Sequence, residues 1–220
     1  HSPGFDDHVK LILPDPATGA LRLPDFDAPD APRPPMRDYT PRHHDAAART
    51  LAIDFALHDA GPATAWALQA VPGQRIGVGG PRGSLLVPLA FDGYVLIGDE
   101  TALPAIARRL AELPAGAPAL ALIEVDGPAD EQPLPTAADA RIHWVHRNGA
   151  APGDAGPLLA ALRARELPAG DVHAWVACET GVAKALRTHL VGERGVHPKW
   201  VKASGYWRRG SAATHDTVED

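Results

Sequence analysis

The sequence predicts a protein of two domains, an antiparallel β-barrel followed by an α/β domain with a doubly wound parallel sheet. Up to about residue 90, short apolar alternations are separated by turns rich in proline and glycine. Beyond that point, continuous apolar runs alternate with helical patterns, which is typical of a parallel sheet covered on both faces. The 220 residues are enough for two such cores. We place the boundary at Leu89–Asp92, which gives domains 1–90 and 91–220.

The first half contains mostly strands and turns. In "HVKLIL" (8–13), Val9, Leu11 and Leu13 fall on one side, as in a half-buried strand. The helix predicted over "GPATAWALQA" begins near Gly61, with proline at its start. The other predicted elements are a loop at 14–35, a short strand at 37–40, a strictly alternating strand at 51–57, and a strand leading into a glycine turn at 74–84.

The second half reads as strands alternating with helices. "GYVLIGD" (93–99) is apolar throughout, as in a strand buried on both faces. Strands connected through helices pair in parallel, which gives the predicted doubly wound sheet. The predicted strands are 93–99, 118–125, 140–147, 171–179 and 199–207, and the predicted helices are 101–113, 157–166 and 181–193.

Composition excludes several classes of function. The formal net charge of −6 does not suit a general nucleic-acid binder, which needs a basic face. The single cysteine, Cys178, excludes an internal disulfide and a cysteine-based metal centre. No apolar run reaches the roughly 20 residues of a membrane span, and no signal peptide is recognisable. We therefore expect a cytoplasmic protein, and nothing in the sequence requires more than a monomer.

The glycine-rich stretch "GVGGPRG" (77–83) resembles a dinucleotide fingerprint but fails its spacing. Gly77 and Gly79 fit the first two glycines, whereas Arg82 stands at the third. No helical pattern follows directly, although the fingerprint requires one. We interpret the stretch as a turn that closes a strand.

The turn "GDETALPAI" (98–106) lies at a strand end and a helix start. Gly98 allows close backbone approach, and Asp99 or Thr101 can cap the helix. Ligands of open α/β sheets bind at the carboxyl ends of strands. Because Asp99 and Glu100 would repel a phosphate, we expect this turn to meet a neutral or reactive part of a ligand. A cap without a ligand is the alternative.

Arg147 ends another strand and is placed to hold an anion, such as a 2′-phosphate. The alternative is a solvated arginine at a strand end. His143 and His146 point to opposite faces of a strand, so we predict no metal site there. Cys178 is interpreted as a small packing residue.

The C-terminal stretch "KASGYWRRG" (202–210) combines aromatic and basic side chains. Tyr206 and Trp207 can stack on a planar ligand, and the neighbouring cations Lys202, Arg208 and Arg209 can hold an anionic one. An aromatic plug over the core is the alternative.

Five motifs in order resemble those of the siderophore-interacting protein family. They are "RDYTPR" (37–42), "DFALHDAGPATAW" (54–66), "GDETALPAI", "ACE" (177–179) and "KASGYWRRG". The family consists of FAD-dependent ferric-siderophore reductases related to the ferredoxin–NADP reductase superfamily. The resemblance implies an FAD-binding barrel and an NAD(P)-binding α/β domain. It implies electron flow from NAD(P)H through FAD to Fe(III), with release of Fe(II).

The resemblance also implies site residues. FAD is expected to contact Arg37, Tyr39, Thr40, Arg42, Asp54, Phe55, His58, Ala63, Thr64, Asp99, Glu100, Thr101, Tyr206 and Trp207. NAD(P) is expected to contact Gly98, Thr101, Arg147 and Glu179. We expect Lys202, Arg208 and Arg209 to clamp the ferric siderophore. No catalytic acid or base is expected, because electrons pass through the flavin.

Three alternatives stay open at this point. The chain could be a flavin reductase with another acceptor, or a siderophore-binding protein that shuttles iron without turnover. Ferredoxin could replace NAD(P)H as electron donor. Family members carry further strands before "DDHVKL", so we expect this barrel to lack its opening strands, which leaves FAD retention open.

Overall fold

The computed structural model describes residues 2–25, 27–28, 32–57 and 61–210, and the backbone of 216–217. The chain divides into two compact units, His1–Leu86 (unit 1) and Val87–Asp220 (unit 2). Each unit has its own sheets and its own buried side chains. No helix in the described ranges combines the length and apolar character needed to cross a bilayer.

Unit 1 is built from short antiparallel strands and one helix. Strand β1 pairs with β2 on one side and β5 on the other, and β3 pairs with β4. The predicted antiparallel class of this half is confirmed, with its described strands in sheets of three and two. The elements are β1 (Val9–Ile12), β2 (Met36–Tyr39), β3 (His43–Asp45), β4 (Thr50–Ala52), helix α1 (Pro62–Gln69) and β5 (Gly77–Gly79).

Strand β1 supplies much of the core of unit 1. Val9, Leu11 and Leu13 are buried, as their alternation predicts. Ile12 is buried as well, against the expected pattern. The cause is Gly77 on β5, where a Cβ would lie 3.0 Å from the Cδ1 atom of Ile12. Glycine at that position lets the sheet accept Ile12 on its second face.

The strand predicted at 51–57 is much shorter than expected. Strand β4 ends at Ala52, and Leu57 is 59% exposed. Among the described residues its one ladder partner is β3, whose register with β4 runs from Asp45–Thr50 to His43–Ala52. Beyond Ala52 no described strand pairs with this backbone, so apolar alternation alone does not extend the strand.

Unit 2 is an α/β domain around one six-stranded sheet. Its strand order is β11-β10-β9-β6-β7-β8, with the five from β10 to β8 parallel and β11 antiparallel at the edge. The predicted fold class is confirmed. The elements are β6 (Gly93–Gly98), α2 (Leu103–Glu112), β7 (Pro118–Val125), β8 (Asp139–His146), α3 (Ala155–Arg163), β9 (Val172–Glu179), α4 (Thr180–Gly192), β10 (Val201–Trp207) and β11 (Asp216–Thr217).

The strand order of unit 2 determines where a ligand crevice lies. The chain runs from β6 outward through β7 to β8 and then returns to β9 on the other side of β6. Every residue of β6 and β9 is buried, which explains the continuous apolar run of β6. Helix α2 leads from β6 toward β7 and helix α4 leads from β9 toward β10, and these opposite directions open a crevice between the carboxyl ends of β6 and β9. The turn after Gly98 lies at this point.

Candidate functional site

The turn after β6 is tightly packed and requires glycine at its start. A Cβ on Gly98 would lie 2.5 Å from the Cβ of Ala102 and 2.6 Å from the carbonyl oxygen of Ala177. Real side chains do not come that close, so only glycine lets the turn fold back over β9. Gly98 was expected to allow a close approach to the backbone, and the atoms that come close belong to Ala102 and Ala177. Its contact with NAD(P) stays a prediction.

Asp99 links this turn to the C-terminal segment. Its Oδ1 atom accepts hydrogen bonds from the amide and hydroxyl of Thr101, and its Oδ2 atom accepts one from Nε1 of Trp207 at 2.7 Å. Burial raises the pKa of Asp99 to about 6, with a further contribution from Glu100, while the donors of Thr101 and Trp207 oppose the rise. The capping prediction is wrong for this turn. Helix α2 begins after Ala102 without a side-chain cap.

Arg147 is held between two carboxylates. Its Nη1 and Nη2 atoms each donate a 2.7 Å hydrogen bond to Glu100, and Nη1 lies 3.4 Å from Oε1 of Glu124. The side chain of Arg147 is only 8% exposed, so the alternative of a solvated strand-end arginine is wrong. An anionic ligand would have to exchange with a carboxylate that is already bound, and the NAD(P) contact of Arg147 stays a prediction.

The electrostatics of this group follow from burial and charge. Burial is the main cause that raises the pKa of Glu124 to about 7; Arg147 opposes the rise, and Asp99 and Glu100 add to it. Burial alone would lower the pKa of Arg147, but the hydrogen bonds and charges of Glu100 and Glu124 raise it. The guanidinium therefore stays charged in its buried position.

Glu179 caps helix α4. Its Oε2 atom accepts hydrogen bonds from the amides of Gly181 and Val182, and its Oε1 atom accepts one from the amide of Arg209. A carboxylate at a helix N-terminus also gains from the helix dipole. The structure thus gives Glu179 a structural role, and its predicted contact with NAD(P) stays untested.

The C-terminal segment follows β10 and ends at the same edge of the sheet, where Trp207 pairs with Glu179. Tyr206 packs edge-on against the buried Trp175, with ring centroids 6.1 Å apart. Arg208 and Arg209 are exposed, and Nη2 of Arg209 donates to the carbonyl oxygen of Pro152. Lys202 is partly exposed. The aromatic residues pack on the core, as the plug alternative predicts, and the cations face outward, as an anion clamp requires.

In unit 1, two of the predicted FAD residues, Tyr39 and Phe55, form an aromatic cluster with Trp66. The ring centroid of Phe55 lies 4.6 Å from that of Tyr39 and 5.8 Å from that of Trp66. Burial raises the pKa of Tyr39. In this structure the ring of Tyr39 contacts the ring of Phe55. The contact of Tyr39 with the flavin stays a prediction.

The two arginines of "RDYTPR" bind nearby protein oxygens. Nη1 of Arg37 donates to the carbonyl oxygen of Met36 at 2.8 Å, and Nε of Arg42 lies 3.6 Å from Oδ2 of Asp54. Both side chains are partly exposed. Arg37 and Tyr39 share a face of β2, as the alternation of a strand requires. Thr40 is buried.

The start of helix α1 carries an unsatisfied polar group. Its N-cap, Gly61, provides no side-chain hydrogen bond, and Ala63 and Thr64 are buried in the first turn. The Oγ1 atom of Thr64 is buried and has no hydrogen-bond partner among the described residues. Such a hydroxyl needs an explanation, and helix N-termini bind phosphates through their free amides. This site fits a phosphate group. His58, also predicted to contact FAD, lies outside the described residues.

Two further expectations concern metal and thiol chemistry. Within the described ranges, no group of three or more His, Cys, Asp or Glu side chains is arranged to hold a metal ion. Cys178 is buried, and burial raises the pKa of its thiol, which fits a packing residue.

The role of Glu124 was missed from the sequence. A lone glutamate near the end of the apolar run "PALALIEV" could have indicated it.

Two family models and several known proteins match most of this chain. The family model of the siderophore-interacting FAD-binding domain matches residues 1–85, and that of the siderophore-interacting protein matches residues 91–210. The chain is 36% identical to the NADPH-dependent ferric-chelate reductase of Escherichia coli, over 94% of this chain and 81% of that protein. It is 33% identical to the ferric vibriobactin reductase ViuB of Vibrio cholerae, over 92% and 77%. The crystal structure of a siderophore utilization protein from T. fusca superimposes with a TM-score of 0.88 at 47% identity, over 97% and 84%.

Proposed function

This chain belongs to the siderophore-interacting protein family, and on that premise we propose that it is an FAD-dependent ferric-siderophore reductase. It takes electrons from NAD(P)H, reduces the Fe(III) of a ferric siderophore and releases Fe(II). The observation that carries the proposal is the match to both family models, in order, over most of the chain. We place the reaction in the cytoplasm, where NAD(P)H is available.

We assign FAD binding to residues 1–90. Thr64 supports the assignment, because its buried hydroxyl lacks a partner at an uncapped helix start, where a pyrophosphate would supply oxygens. The Tyr39–Phe55 pair offers an apolar aromatic surface, and Arg37 and Arg42 offer cations beside it. When bound, FAD supplies the redox chemistry: it accepts a hydride and passes single electrons to ferric iron.

We assign NAD(P)H binding to residues 91–220. The turn after Gly98 lies at the switch point of the parallel sheet, where nucleotides bind in this class of fold. Arg147 is the candidate for an anionic group of the donor. Its guanidinium sits at the carboxyl ends of neighbouring strands, with two nitrogens aimed at one carboxylate in a bidentate arrangement that phosphate can also adopt.

We assign the ferric siderophore to the basic C-terminal segment. Siderophores hold Fe(III) through hard oxygen donors, and their ferric complexes are commonly anionic. Fe(II) binds such donors less tightly, so reduction releases the metal. Lys202, Arg208 and Arg209 form the proposed clamp: Lys202 lies near the start of β10, and Arg208 and Arg209 directly follow its end.

One experiment tests the overall reaction. The FAD-loaded protein is mixed anaerobically with NADPH, a ferric siderophore and a ferrous chelator, and the coloured ferrous complex is recorded. We expect ferrous complex to form only when protein, NADPH and ferric siderophore are all present. Oxidation of NADPH without formation of Fe(II) would indicate a flavin reductase with another acceptor. Tight binding of the siderophore without turnover would indicate an iron shuttle.

A second experiment tests the clamp. Conversion of Lys202, Arg208 and Arg209 to alanine should raise the KM for an anionic ferric siderophore and leave bound FAD unchanged. The matched control replaces three exposed arginines outside the segment, Arg75, Arg82 and Arg163, with alanine. An unchanged KM in the clamp variant, or an equal rise in the control, would remove the clamp assignment.

A further inference from the structure

Three side chains from three neighbouring strand ends form one charged group in unit 2. Arg147 follows β8, Glu124 lies near the end of β7, and Glu100 lies in the turn after β6. Strands β6, β7 and β8 are adjacent in the sheet, and their parallel ladders bring these ends together. The group therefore lies at the edge of the sheet where ligands of this fold class bind.

The two carboxylates that bind Arg147 differ in their freedom to leave. The side chain of Glu124 is 4% exposed and is anchored in a buried strand. The side chain of Glu100 is 31% exposed and projects from a turn. Only Glu100 can move into water without leaving an uncompensated charge in the interior, because Glu124 would still face the guanidinium.

Arg147 has donor capacity that the protein does not use. Its Nε atom is buried and has no hydrogen-bond partner among the described residues. Its two terminal nitrogens present a planar fork to Glu100, the arrangement that carboxylates and phosphates both accept. A ligand oxyanion can therefore replace the Glu100 carboxylate with the same bidentate geometry.

We propose that Glu100 is a built-in competitor for an oxyanion of the ligand at Arg147, and that Glu124 is the fixed counter-ion that stays when the ligand binds. This inference rests on the proposed function in taking Arg147 as an anion site. The bound oxyanion is a phosphate or carboxylate able to accept two hydrogen bonds. It comes either from the 2′-phosphate of NADPH or from a carboxylate of the ferric chelate.

The test is the substitution Glu100→Gln, which keeps the size of the side chain and removes its charge. The matched control is Glu112→Gln, an exposed glutamate of α2 that pairs with Arg108. It removes the same charge from the same unit, away from Arg147. In both variants the bound FAD is quantified first, because Glu100 is also a predicted FAD contact, and thermal unfolding checks the fold.

The first arm of the experiment uses calorimetry on FAD-loaded protein. The probes are 2′,5′-ADP, which carries the 2′-phosphate, and 5′-AMP, which lacks it. If the 2′-phosphate is the source, Glu100→Gln should bind 2′,5′-ADP about five- to tenfold more tightly than wild type, since a charge-assisted competitor is gone. Binding of 5′-AMP, and both affinities in Glu112→Gln, should stay unchanged.

The second arm measures the KM for anionic ferric citrate and for cationic ferrioxamine B. If the iron chelate is the source, Glu100→Gln should lower the KM for ferric citrate by about five- to tenfold and leave that for ferrioxamine B unchanged. A response in either arm supports the proposal and identifies the source. The proposal is overturned if neither arm responds, or if Glu100→Gln loses FAD without binding anions more tightly. The calorimetric arm needs no turnover, so it measures the effect of Glu100 on anion binding even if the wild type fails to reduce ferric chelates.

Discussion

Thr64 allows the proposed FAD site to be tested through two effects of opposite sign. The Oγ1 atom of Thr64 is buried without a partner in the described part of the chain, at the first turn of α1. Thr64→Val replaces the hydroxyl with a methyl group of similar size. Without FAD, this removes an unsatisfied polar group, so the free energy of unfolding should rise by about 1–2 kcal/mol. With FAD, it removes a hydrogen bond to a charged phosphate, worth roughly 1.5–3 kcal/mol. The dissociation constant for FAD should therefore rise by about ten- to a hundredfold.

The assay uses the apoprotein for both measurements. Urea unfolding followed by circular dichroism gives the change in stability, and titration with FAD followed by flavin fluorescence gives the affinity. The control is Thr50→Val, the same change at an exposed position of β4. The reasoning about Thr64 is refuted if Thr64→Val binds FAD as tightly as wild type, or if apoprotein stability falls.

Three more predictions concern unit 2. Because the pKa of Glu124 is raised from 4.5 to about 7, the native state binds more protons than the unfolded state between these values, so wild-type stability should fall as pH rises. Urea unfolding should show that wild type loses up to about 3 kcal/mol of unfolding free energy, relative to Glu124→Gln, between pH 4.5 and pH 8. A difference in stability between the two proteins that does not change with pH would contradict the prediction. Trp207→Phe removes a donor from buried Asp99 and should cost about 1–3 kcal/mol of stability at pH 8, but less at pH 5, where Asp99 is protonated; equal losses at both values would disprove it. Gly98→Ala puts a Cβ 2.5 Å from the Cβ of Ala102 and should lower the melting temperature, with a loss of about 1–3 kcal/mol in the free energy of unfolding. In the control Gly127→Ala, the new Cβ has no neighbouring atom within 4 Å, so the melting temperature should not fall. Similar melting temperatures for the two variants would count against the packing argument.

Much of the fold was predictable because local pattern and burial agree in unit 2. The apolar run of β6 is buried on both faces, as is β9, and the parallel pairing follows from strands alternating with helices. In unit 1 the pattern misled at 51–57, since the length of a strand depends on its partner and β3 has only three residues. No single-chain pattern encodes the length of a partner strand.

The candidate site was predicted as a set of residues, but their contacts were not. The predicted strand at 140–147 put Arg147 at a strand end, but it gave no sign that Glu100 and Glu124 enclose that side chain. The Asp99–Trp207 hydrogen bond joins residues 108 positions apart, which no local motif reveals. Such contacts depend on strand order, so they become visible only when the sheet is assembled.

The binding of FAD tests the central claim most directly. Purified protein is incubated with excess FAD, freed of unbound flavin by gel filtration, and examined by absorption spectroscopy before and after anaerobic addition of NADPH. We predict a yellow protein with about one FAD per chain, whose flavin absorption bleaches on addition of NADPH and returns when ferric siderophore follows. A folded sample that leaves the column colourless would contradict the account.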